Sequence, residues 1–334
     1  MTVTDPGTVL AWVESPFQLL GALEAFASGR LGQRLVVLPR RNVGPLAVTV
    51  AELERLGLPA GVSVSAPGRA PHRYNGVLAV GDAFSGEVHR LLLQSSPQRL
   101  ILLDDGRSTK RVMDALVKPG VPLVRPHIAP TLARSLLAGL ALAKMKRMAA
   151  QGRLQVITAL WLPEPVVAAA EAAGVRIAHH SFEWLRGLPG RPGDALPGTE
   201  TVVLGTSLVA NNLIAAGPYL DWVATIARRG PITYRPHRRE DERTLAALAG
   251  GPGIVIETGQ VPVEVSLRAM TSRHRVFTLP TTAVSTLRLI APEARIQEFA
   301  IPESWWQPTV PEVARRHLVP DPGEPEPSAF SPCS

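Results

Sequence analysis

Cysteine is nearly missing from this 334-residue chain: Cys333, in the tail, is the only one. That excludes an internal disulfide and a cysteine-rich zinc site, and it fits a reducing compartment. Long apolar runs are missing too, with no stretch near the roughly 18 uninterrupted apolar residues that would suggest a membrane span. The opening Met1-Thr2-Val3-Thr4-Asp5-Pro6 has no basic stretch ahead of an apolar one, so no signal peptide is expected. A cytoplasmic protein is expected. Aromatics are scarce, at three tyrosines and seven phenylalanines. No stripe interleaves them with basic residues, which argues against a nucleic-acid partner. An Asp-x-Asp motif and clustered metal ligands are absent, so neither a metal nor another cofactor is expected.

Apolar residues are plentiful, at 46% of the chain, and the length suits two domains. The formal net charge is +7. Without a nucleic-acid module, that sign points to a phosphate-bearing substrate or a workplace near an anionic membrane. Short β-branched runs alternate with helical patterns. Val9 to Val13, Leu35 to Leu38, Val77 to Val80 and Leu100 to Leu103 read as buried strands. A second series follows at Leu154 to Leu160, Val175 to Ala178, Val202 to Leu204, Ile232 to Tyr234, Ile254 to Ile256 and Val276 to Leu279. Helices are expected between them, among others over Pro16 to Ala27, Ser207 to Ala227 and Thr282 to Ile290. This alternation predicts α/β domains with parallel, doubly wound sheets. The Gly- and Pro-rich stretch Arg186 to Gly193 is the best linker. The expected division is 1–190, 191–310 and a disordered tail over 311–334.

Several motifs follow strand ends, where open parallel sheets hold their ligands. Leu103-Asp104-Asp105-Gly106 sets two carboxylates there. Such a carboxylate suits proton abstraction from a hydroxyl, although Asp-Gly is also a common turn. In Tyr234-Arg235-Pro236-His237-Arg238-Arg239 a strand runs into a histidine among three arginines, the last two expected to open a helix. These donors suit a phosphate gaining charge; a solvated turn is the plain alternative. Pro262-Val263-Glu264-Val265 reads as a first helical turn with its acid. Pro280-Thr281-Thr282-Ala283-Val284-Ser285 sets hydroxyls at another helix start, suited to a phosphate or to simple capping. Ser15-Pro16-Phe17-Gln18 is a capping-box pattern after the first strand. His179 and His180 would point to opposite faces of a strand, and Trp305-Trp306 reads as packing.

Taken in order, these pieces resemble the bacterial GT-B sialyltransferases, the lipooligosaccharide sialyltransferases of glycosyltransferase family 52 and the related polysialyltransferases. Ser15-Pro16-Phe17-Gln18-Leu19-Leu20 looks like the family's opening, and Asp104-Asp105-Gly106 like its acidic motif. Pro236-His237-Arg238 falls at the family's His-Pro motif, with proline here preceding the histidine. Thr281 and Thr282 stand where the family has a serine pair. The resemblance implies two Rossmann-like domains facing a cleft, the first for the acceptor and the second for the donor. It implies metal-independent, inverting transfer of a sialic-acid-type sugar from a CMP-activated donor to a cell-surface glycan. Asp104 would be the general base, with Asp105 beside it. His237 would contact the donor phosphate and act as acid. Gly106, Pro236, Arg238, Thr281, Thr282 and Ser285 would line the donor site, Glu264 would hold the CMP ribose, and Ser15 and Gln18 would lie on the acceptor side.

Other functions stay open: another donor such as CMP-Kdo or a UDP-sugar, or a silent glycan- or nucleotide-binding protein. Residues 134–151 allow two readings, an amphipathic helix packed on the sheet or a basic face on an anionic membrane, the latter placing the protein at the membrane's inner face.

Overall fold

The computed structural model describes residues 7–103, 106, 108–124, 131–188, 198–259, 261–312 and 315. The chain divides into two compact units, Met1–Pro189 with Gln260–Pro262 and Gly190–Gly259 with Val263–Ser334. Most of the stretch expected to be a linker, and nearly all of the expected tail, lie outside the described residues.

The first unit follows β1 (Thr8–Val13), α1 (Pro16–Ala27), β2 (Arg34–Pro39), α2 (Gly44–Leu56), β3 (Val62–Val64), β4 (Val77–Val80), α3 (Gly86–Gln94) and β5 (Arg99–Leu103). It continues through α4 (Ser108–Val117), α5 (Leu132–Ala150), β6 (Leu154–Thr158), α6 (Glu164–Ala172), β7 (Val175–His179) and α7 (Glu183–Gly187). Its seven strands lie in the order β3-β2-β1-β4-β5-β6-β7, all parallel. β1 is buried along its whole length, as its unbroken apolar run requires of a strand covered on both faces. Trp12, Leu78, Leu100 and Val156 from successive strands join Val88, Met113 and Met145 from helices in one core.

The second unit runs β8 (Thr201–Leu204), α8 (Ala216–Ala227), β9 (Ile232–Arg235), α9 (Glu242–Ala249), β10 (Ile254–Ile256), α10 (Val263–Ser266), β11 (Arg275–Thr278), α11 (Ala283–Ile290) and β12 (Arg295–Glu298). Its strands are again parallel, in the order β10-β9-β8-β11-β12. Both units are therefore Rossmann-like α/β, the class expected from the alternation. In each, the order reverses once, between β1 and β4 and between β8 and β11. The crevice at such a reversal is where open α/β sheets take their ligands.

Two expectations need correction. The helix expected over Ser207 to Ala227 begins only at Ala216. Residues before it form turns, with Asn212 in the left-handed conformation at φ 54°, a state that asparagine tolerates and a helix does not contain. Arg238 and Arg239 do not open a helix either. They lie in a turn, and α9 starts at Glu242 with Asp241 as its cap, its carboxylate accepting from Thr244 N at 2.7 Å.

Candidate functional site

The carboxyl edge of the second sheet carries a dense polar cluster. Where β9 ends, the chain turns through Pro236 and His237, and this turn is held from beneath. His237 N–H donates to Glu240 Oε2 at 2.9 Å, and the Tyr234 hydroxyl donates to Glu240 Oε1. The Tyr219 hydroxyl, from α8, lies 2.7 Å from that of Tyr234. The Thr206 backbone also bonds Glu240. Gly205 closes the cluster from β8: a Cβ there would lie 2.7 Å from His237 N, 2.9 Å from Tyr234 Oη, and against Glu240 Oε2. Glycine is required by close approach, not by its own torsion.

This support fixes the imidazole's chemistry. Arg239 N–H donates to His237 Nδ1 at 3.1 Å, which leaves the ring proton on Nε2. Burial, helped by Arg238 and Arg239, pulls the His237 pKa down to about 4. The ring is thus a neutral N–H donor at neutral pH. An arriving phosphate would draw its pKa upward by the opposite-charge effect. Arg235, expected to add to the cationic group, is instead paired with Glu257 at 2.7 Å, so its charge is already answered. Arg238 and Arg239 are exposed.

Burial pushes the Glu240 carboxyl up to about 7 from 4.5, against the pull of its Tyr234 and His237 hydrogen bonds. An acid whose folded pKa is raised binds more protons folded than unfolded between those two values, so stability falls as pH rises through that window. Glu240→Gln copies the protonated carboxyl, its amide N–H₂ donating to Tyr234 while its oxygen accepts from His237. The melting temperature of Glu240→Gln minus that of wild type is therefore expected to grow from pH 4.5 to pH 7. A difference that stays flat across this range in parallel thermal melts would show that Glu240 does not titrate there.

Thr281 and Thr282 leave the same sheet edge after β11. β9 and β11 flank β8, so the two motifs are two strand spacings apart, roughly 10 Å at the sheet. Thr281 N–H donates to Glu298 Oε1 at 3.1 Å, and Thr281 Oγ1 accepts from Ala283 N at 3.4 Å. Thr282 is the N-cap of α11 but makes no side-chain cap bond. The start of α11 thus already holds one carboxylate, with the partly exposed Ser285 in its first turn. Glu264, in α10, is buried and accepts from Thr286 Oγ1 at 2.9 Å, which ties α10 to α11. Burial raises its pKa, with its own N–H and Thr286 pulling back.

In the first unit, Asp104 and Asp105 lie outside the described residues. Their frame is described: β5 ends at Leu103, Gly106 is left-handed at φ 68°, and the Gly106 carbonyl accepts from Thr109 N at 2.9 Å as α4 begins. Ser15 and Gln18 have structural work. Ser15 Oγ accepts from Gln18 N at 3.3 Å, capping α1. The Gln18 side chain accepts from Glu14 N at 2.7 Å rather than closing the box onto Ser15. It is buried against Gly81, where any Cβ would collide with it.

Sequence reasoning missed the carboxylate of Glu14, at the β1–β4 reversal. It accepts from Trp12 Nε1 at 2.8 Å and pairs with Arg40 at 2.5 Å, while Arg40 also approaches Glu87 at 3.7 Å. The missed signal was Arg40-Arg41 immediately after β2, the neighbour of β1. It also passed over Trp161, three residues beyond β6, which is 56% exposed. His179 ends β7 and is exposed, whereas His180 lies beyond the strand and is buried. Trp305 is packed in the second core. Among the described residues, no group of three or more His, Cys, Asp or Glu is placed to hold a metal ion.

No protein-family model matches the chain, and no curated protein sequence does. Among solved structures it is similar to a UDP-glucosyltransferase from Polygonum tinctorium capable of glucosylating indoxyl, with 12% identity and a TM-score of 0.45 over 90% of this chain and 82% of that one. A UDP-glucose:anthocyanidin 3-O-glucosyltransferase in complex with UDP has 10% identity and a TM-score of 0.44, over 89% of this chain and 82% of that one. A Type III CRISPR defence DNA nuclease activated by cyclic oligoadenylate covers 88% of this chain and 65% of that one, with 12% identity and a TM-score of 0.23. Likenesses this distant assign no activity.

Proposed function

We propose that this protein is an inverting glycosyltransferase that moves a sialic-acid-type sugar from a CMP-activated donor to a glycan. The observation that carries the reading is the edge of the second sheet, where the braced, neutral His237 and the α11 start flank the β8–β11 reversal. The ordered motifs from Ser15 to Ser285 support the donor class. In this reading the acceptor hydroxyl gives its proton to the Asp104 carboxylate as its oxygen attacks the anomeric carbon. The bond from that carbon to the phosphate oxygen breaks, and CMP leaves with the electron pair. His237 Nε2–H and the exposed Arg238 donate to the phosphate as its charge grows, which is where preorganised donors act most strongly. Glu264, anchored by Thr286, shapes the nucleoside side. No step is routed through a metal.

The direct test is release of CMP from CMP-sialic acid with and without glycan acceptors, beside a thermal-shift panel of CMP, CMP-Kdo and UDP-sugars. CMP-sialic acid turnover is expected, together with stabilisation by CMP and not by UDP, since ligand binding raises apparent stability by mass action. Stabilisation by UDP alone, or loss of activity in chelator with rescue by manganese, would overturn the reading.

His237→Ala removes one hydrogen bond to a charged group, worth roughly 1.5–3 kcal/mol. CMP binding is expected to weaken about tenfold or more, with a further loss in turnover. Calorimetry giving wild-type affinity for this variant would remove His237 from the phosphate site.

A further inference from the structure

The helix α5 packs its C-terminal part on the core but leaves a row of leucines bare over its N-terminal half. Three of its leucines face away from the protein: Leu132 is 86% exposed, Leu136 71% and Leu140 60%. The inward face is built from smaller or flexible groups, Ala138, Ala141, Met145, Met148 and Ala149. Residues 131–136 are exposed without exception, so the first turns of the helix stand clear of the core. The three leucines recur at i, i+4 and i+8, which places them on one ridge. The same outward face then passes Ala143 and reaches Lys146 and Arg147. α5 contains no acidic residue, and Asp114 is the sole one between Lys110 and Arg153. No helix among the described residues is long and apolar enough to cross a membrane.

From this arrangement we infer that α5 docks the protein onto an anionic lipid surface, with the Leu132–Leu136–Leu140 ridge inserted among the acyl chains and Lys146 and Arg147 at the headgroups. Bare leucine side chains are costly in water, and a ridge of them ending in basic residues can bury itself about 5–10 Å into the interface. The uninterrupted positive charge selects an anionic surface over another copy of this face, which would repel itself. The inference goes beyond the proposed transfer and stands whichever sugar nucleotide is used.

The test is co-sedimentation of the full chain with vesicles of phosphatidylglycerol and phosphatidylcholine in equal parts, and with vesicles of phosphatidylcholine alone. Wild type is expected to pellet with the mixed vesicles and markedly less with the neutral ones. Raising salt from about 0.1 M to about 1 M shortens the screening length from roughly 10 to 3 Å and should reduce binding. Leu136→Glu with Leu140→Glu should lower the partition coefficient at least about tenfold, with thermal melting unchanged because both side chains are exposed. Failure of wild type to pellet with the mixed vesicles, or undiminished binding by the double variant, overturns the inference. Equal binding to neutral vesicles overturns its anionic part. A concentration-dependent dimer lost in the double variant, without vesicle binding, gives the ridge to a second copy.

Discussion

Asp104→Asn is expected to lower sugar transfer about 10²–10⁴-fold, the usual contribution of a positioned general base. Asparagine keeps the size of the side chain but exchanges one acceptor oxygen for an N–H₂ donor, and it cannot take the acceptor's proton. The frame around it should survive. β5 ends on the buried Leu103, and the left-handed Gly106 turns the chain so that its carbonyl receives Thr109 N. Under the proposed reading the donor belongs to the second unit, so CMP affinity in calorimetry is expected to match wild type. Turnover down and CMP binding intact is therefore the expected pair of results. Wild-type turnover would remove Asp104 from the mechanism and leave Asp105 as the base to test.

Gly205→Ala should produce the largest combined loss of stability and donor binding. The new methyl meets Glu240 Oε2, His237 N and Tyr234 Oη together. Two of these contacts are with a backbone nitrogen and a buried tyrosine, which have little room to give. Overpacking costs typically about 1–3 kcal/mol. Forcing Glu240 off its partners adds about 1–3 kcal/mol for each buried polar group left unpaired. The melting temperature should fall, and CMP should bind more weakly because the His237 turn loses its floor. Tyr219→Phe removes only the outermost hydroxyl and should cost about 1 kcal/mol, the net value of an ordinary hydrogen bond. If Gly205→Ala melts and binds CMP like wild type, the cluster does not brace the turn.

Much of this architecture was readable beforehand, because a strand buried on both faces must be a short apolar run. The segments around Ala11, Val36, Ala79 and Ile101 could be little else. β3 and β12 escaped for the complementary reason. Polar residues interrupt both, and Val62-Ser63-Val64 and Arg295-Ile296-Gln297-Glu298 are partly buried or exposed apart from Glu298. The excess helix before Ala216 came from apolar periodicity that Asn211-Asn212 interrupts. At the site, His237 was visible because cationic residues crowd the end of a strand. Its brace was not, since Glu240 gains meaning only when α8 brings Tyr219 to Tyr234 and β8 brings Gly205 over both. The pairing of Arg235 with Glu257 was hidden likewise, as it spans β9 and the end of its neighbour β10.

The parallel order of the first sheet also sets a schedule for synthesis. β1 is flanked by β2 and β4, and its Val9 pairs with Val77. At about 5–20 residues per second on the ribosome, several seconds separate the two. Through that interval the first strand, with Trp12 at its heart, has at most β2 beside it and one side bare. A chaperone that shields nascent apolar segments would find a client in β1 well before the second sheet has been translated.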